Sequence, residues 1–102
     1  MIIRIDHDNE VRLVDPDDCK KFHVEASRDG GGDLNKLLGA AGSVDDAGED
    51  HVWIHFDWVR NEASGRVAAD WAPQFDAMVR YAATKGWLNE AGTSIRAHIE
   101  WQ

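Results

Sequence analysis

From His51 to Val59 apolar and polar side chains alternate, so an extended chain shows Val52, Ile54, Phe56 and Trp58 on one face and Trp53, His55, Asp57 and Val59 on the other. The alternation predicts a central strand with one core face and one amphipathic face. Neighbouring stretches repeat the pattern. Ile3 and Ile5 alternate with Arg4 and Asp6, and Val11 and Leu13 flank Arg12, which predicts a hairpin turning at Asp6–Glu10. Phe22, Val24 and Ala26 point one way and His23, Glu25 and Ser27 the other, giving a short third strand. Ser94–Trp101 closes the chain with Ile95, Ala97, Ile99 and Trp101 inward and Arg96, His98 and Glu100 outward.

Two stretches switch to the helical period. Leu34, Leu37, Leu38 and Ala41 share a face behind Asp33, a suitable N-cap, and Gly42 can end that helix. Trp71, Phe75, Met78 and Ala82 form a longer stripe, which reads as core rather than as a cofactor box. Asp70 is its expected N-cap, Pro73 falls in the first turn, and Gly86 supplies a left-handed stop that lets Trp87 fold back on Ala82. Asp15–Lys21 reads as a polar turn and Ser43–Asp50 as an acidic solvated loop. The order is therefore β-β-β-α-β-α-β. It predicts a single α+β domain over 1–102, a two-layer sandwich with about five strands in a mixed or antiparallel sheet, two helices on one face and the other face open.

Composition narrows the function classes. A chain of 102 residues, 43% hydrophobic and with five tryptophans, can bury a core without cross-links or metal. The formal net charge of −8 repels phosphate backbones and anionic lipids, so neither nucleic acid nor membrane is an expected partner. Cys19 is the single cysteine, which excludes an intramolecular disulfide and fits a reducing compartment. No apolar run approaches the ~20 residues of a membrane span, and the expected location is cytoplasmic. Asp6, Asp8 and Glu10 are spaced like calcium ligands, but Val11 stands where an EF-hand loop needs glycine. Gly30–Gly32 precede Asp33 without the spacing of a phosphate-binding turn, and that carboxylate would sit where the phosphate belongs. No cofactor is expected and no metal ligand is assigned.

Candidate chemistry lies on the open face. His23-Val-Glu25, His55-Phe-Asp57 and His98-Ile-Glu100 place the same His-x-acid triplet on three strands, where chance gives roughly one. With Trp53 and Arg96 these residues make up the candidate surface; His7 and His51, in or next to turns, are expected to add nothing. Trp53, with Val59, Val14 and Ile2, puts apolar area on a face that should otherwise be wet. The expected function is protein association through that face, as a homodimer or protein-binding domain. An alternative is a small-molecule or metal site, or an enzyme. His23, His55 and His98 can ligate zinc with Asp57 or Glu25 accepting from a far ring nitrogen, and His55, Asp57 and His98 are candidate acid–base groups beside Trp53. A further alternative is an acidic inhibitor of a basic enzyme. If Trp53 anchors a dimer, Trp53→Ala lowers the mass measured by sedimentation while the circular dichroism is unchanged; an unaltered oligomer mass excludes Trp53 as the anchor.

Overall fold

The computed structural model describes residues 1–6, 10–19, 21–26, 34–44 and 51–101. Their elements are β1 (Ile2–Ile5), β2 (Val11–Val14), β3 (His23–Ala26), α1 (Leu34–Leu38), β4 (Gly42–Val44), β5 (His51–His55), α2 (Phe56–Ala63), α3 (Trp71–Thr84) and β6 (Ser94–Trp101). The fold is mixed α+β, with a curled six-stranded sheet in the order β2-β1-β3-β6-β5-β4. β1 pairs with β2 antiparallel and with β3 parallel, β3 pairs with β6 parallel, and β6-β5 and β5-β4 are antiparallel.

Register carries the core across the strands. Leu13 pairs with Ile3, Ile3 with Val24 and Val24 with Ile99; on the other flank Ala97 pairs with Val52 and Ile95 with Ile54. All are buried, and they join one cluster with Phe56, Val59 and Ala63 of α2 and Trp71, Phe75 and Ala82 of α3. Phe75 is fully buried, stacked on Trp71 at 4.9 Å between centroids and meeting the edge of Phe56 at 6.1 Å. A buried indole N–H is costly without an acceptor, and Trp71 Nε1 donates to the Pro16 carbonyl oxygen at 2.5 Å. That bond holds the turn in which Asp15, at φ 50°, accepts a hydrogen bond from the amide of Asp18.

The strand expected over 51–59 is half as long, because Phe56 starts a helix. Phe56, Val59 and Ala63 recur at helical spacing, so coiling buries all three, whereas an extended chain would leave Val59 in water. The Phe56 amide donates to the Thr93 carbonyl oxygen at 3.0 Å, tying the helix start to β6. Asp57, in the first turn, meets the positive helix end. Asp57 and Val59 are thus removed from the open sheet face.

Two further expectations are corrected. There are six strands and three α-helices among the described residues rather than five strands and two helices, and Ser43 and Val44, expected in a loop, belong to edge strand β4, which Gly42 opens while also ending, as expected, the 3-10 turn Gly39–Ala41 that follows α1. A Cβ at Gly42 would fall on the Trp53 carbonyl oxygen, so only glycine lets β4 close on β5 here. The expected cap Asp33, the glycines 30–32, Ser27, His7 and most of the acidic loop lie outside the described residues. The end of α3 follows the expectation: Gly86 has φ 75°, the Trp87 amide donates to Ala82 at 3.0 Å, and the Gly86 amide to Ala83 at 3.2 Å. Trp87 then leads into Leu88, which bridges Ile95 antiparallel.

Gly42→Ala is expected to lower the unfolding free energy by about 2 kcal/mol or more, because the obstacle is backbone. Denaturant titration checks this; a change within ~0.5 kcal/mol would mean that β4 does not approach β5 as described.

Candidate functional site

Strand order makes β3, β6 and β5 consecutive neighbours, and they carry most of the candidate residues. Glu25 stands opposite Arg4 on one side and Glu100 on the other. Two acids in direct cross-strand register repel unless a cation or proton lies between them. Arg4 donates to Glu25 Oε1 from Nη2 at 3.0 Å and from Nε at 3.3 Å. His23 Nε2 lies 3.3 Å from Glu25 Oε2 and 3.5 Å from Glu100 Oε2. The Arg4 hydrogen bonds hold the Glu25 carboxyl below the usual glutamate range; burial opposes this and His23 adds to it. His23, Glu25 and Glu100 are therefore one cluster.

The remaining candidates divide between two other places. His98 of β6 faces His51 of β5, their rings 5.3 Å apart at 65°, so His51 joins the face despite its expected place beside a turn. Trp53 pairs with Arg96 on one side and Ser43 on the other and is half-buried. Among the described residues the exposed large apolar side chains are instead Tyr81, Trp87 and Trp101. His55 faces Ser94, with Nδ1 2.5 Å from the buried Oγ, so this imidazole satisfies a hydroxyl that water does not reach. Asp57 stands fully exposed on α2, with Arg60 Nη1 3.8 Å away, a separation worth little in solvent. His55 and Asp57 share an open recess with Trp58 and Asn61, away from His98.

A cavity of about 580 Å³ was not foreseen. It opens beside β6, between Val24–Ile99, where pairing with β3 starts, and Leu88–Ile95, where the segment after α3 takes over. Phe22, Met78, Tyr81 and Trp87 form its apolar wall over Ala82 and Ile95, while His51, Arg96 and His98 bring nitrogen groups to it. Tyr81 and Trp87 meet edge to face at 6.1 Å. Cys19 also lines the cavity, and burial pushes its thiol up from the ordinary range, which keeps it protonated at neutral pH. Phe22 and Met78 read as core in isolation, and only the pairing of distant segments sets them with Tyr81 and Trp87 around a cavity.

Comparison with protein families, with curated proteins and with solved structures finds no match. Among the described residues, no helix is long and apolar enough to cross a membrane.

Glu25 gives a pH test. Its proton affinity is depressed in the folded state, so the stability it contributes is present above the unfolded value near ~4.3 and is lost as pH falls through the lower folded value. In chelator-containing buffer, Glu25→Gln should cost roughly 1 kcal/mol or less at pH 7, with the gap to wild type closing towards acid. A gap that stays constant into acid would show that the Arg4 contact does not act on Glu25 in solution.

Proposed function

We propose that this protein binds a small molecule in the cavity between the segment entering β3, strands β5 and β6, and the end of α3. The observation that carries this reading is the cavity itself, whose aromatic and thioether wall meets three nitrogen-bearing side chains. Its volume falls within the ~300–1,000 Å³ of small-molecule sites. An apolar body gains about 25 cal/mol for each Å² it removes from water against Phe22, Met78 and Trp87. His51, Arg96 and His98 favour a ligand with a carboxylate or similar acceptor, since charge-assisted hydrogen bonds are the strong ones. The net charge of −8 opposes the approach of an anion, so selection rests on these local donors.

Protein association is the second reading, and one observation favours it: Tyr81 and Trp87 are 56% and 41% exposed beside the cavity. A partner would engage these two rather than the half-buried Trp53. No reaction is proposed for His55, Asp57 or His98.

Anilinonaphthalene sulfonate, an apolar anion, is a suitable probe. It should bind the folded chain at one site, be displaced by aromatic or aliphatic carboxylates, slow alkylation of Cys19 by iodoacetamide, and lose at least tenfold in affinity in Trp87→Ala and in Arg96→Gln. Circular dichroism confirms that each variant is folded. Equal affinity in both variants, or Cys19 alkylation indifferent to the probe, would overturn the reading.

A further inference from the structure

We infer that His23, Glu25 and Glu100 form a site for a divalent metal ion of the zinc class, on the sheet face and separate from the cavity. One ligand atom from each lies within 4.8 Å of the other two, and among the described residues no other three His, Cys, Asp or Glu side chains converge in this way. Two of the three spacings, those from His23, are already close to what coordination needs. A tetrahedral ion with bonds of about 2.0–2.1 Å sets neighbouring donors about 3.3–3.4 Å apart. His23 Nε2 stands 3.3 Å from Glu25 Oε2 and 3.5 Å from Glu100 Oε2. One imidazole nitrogen and two carboxylate oxygens are a donor set for zinc and its first-row neighbours, and three protein ligands leave a position for water.

The scaffold supports this set. His23 and Glu25 lie two residues apart on one face of β3, and register places Glu100 directly across from Glu25, so the strands hold the three Cα positions. Arg4 takes Glu25 Oε1 and so turns Oε2 towards His23, the orienting part that an outer hydrogen bond plays around metal ligands. Glu100, with its side chain 53% exposed, is the member that can move as the set contracts from within 4.8 Å to coordination distance. A divalent ion would also relieve the repulsion between the facing carboxylates more fully than Arg4, which reaches Glu25. The competing arrangement is a hydrogen-bonded network with no metal, in which the His23 ring bridges the two carboxyl groups.

Tag-free, chelator-stripped protein titrated with zinc chloride by calorimetry decides between the two. The expected result is one ion per chain, a rise in the thermal midpoint, and at least a tenfold loss of affinity in His23→Gln and in Glu100→Gln. His51→Gln should retain wild-type affinity. Cobalt(II) should give visible absorption in the wild type that Glu100→Gln loses, and circular dichroism checks that each variant is folded. No saturable one-to-one binding, full affinity in Glu100→Gln, or loss of affinity in His51→Gln alone would overturn the assignment. Because the readout is metal affinity, it is independent of probe binding in the cavity.

Discussion

The parallel pairing of β3 with β6 is the constraint on which the rest depends. It joins the N-terminal strands β2, β1 and β3 to the C-terminal strands β6, β5 and β4. Its register sets Val24 against Ile99 on the buried side and Glu25 against Glu100 on the other. A shift of one residue would turn the apolar set outwards and the acids inwards, so burial of Val24 and Ile99 specifies the polar geometry as firmly as it specifies the core.

The same ladder accounts for the opening beside it. β6 is eight residues long and β3 only four, so the earlier part of β6 looks past the start of β3. Leu88 fills that side at Ile95, and the space left between is bounded by Phe22 from one half of the chain and Trp87 from the other. Packing of α3 against the core then brings Met78 and Tyr81 to the wall. Unequal strand lengths thus produce a recess without any residue that looks unusual in the sequence.

Much of this was legible in the alternation. The bounds of β6 and its inward Ile95, Ala97 and Ile99, the hairpin of β1 and β2, the α3 stripe and its Gly86 stop follow directly from period and turn chemistry, whereas Trp101, expected inward, is exposed at the strand end. Residues 56–59 were ambiguous, since Phe56, Trp58 and Val59 suit an alternating strand in a short window, and only Ala63 further on tips the balance to a helix. Edge strand β4 was hidden because three residues around a glycine carry too little pattern. Of the candidate site, the triplets of β3 and β6 were readable, yet their meeting at His23, Glu25 and Glu100 depended on strand order, which no local pattern contains. His55 and Asp57 stay beside one recess but apart from His98, and Asp57 leaves the sheet face because the chain changes from strand to helix after His55.

The recess also has a mechanical aspect. Its walls come from both sides of the central ladder, with Cys19 and Phe22 contributed by the segment entering β3 and Trp87 and Arg96 by the segment around β6. A guest lodged there would act as an extra rung between the two halves of the sheet. Its grip would be felt in how often that seam opens, and hence in how quickly the amides along β3 and β6 trade their protons with solvent.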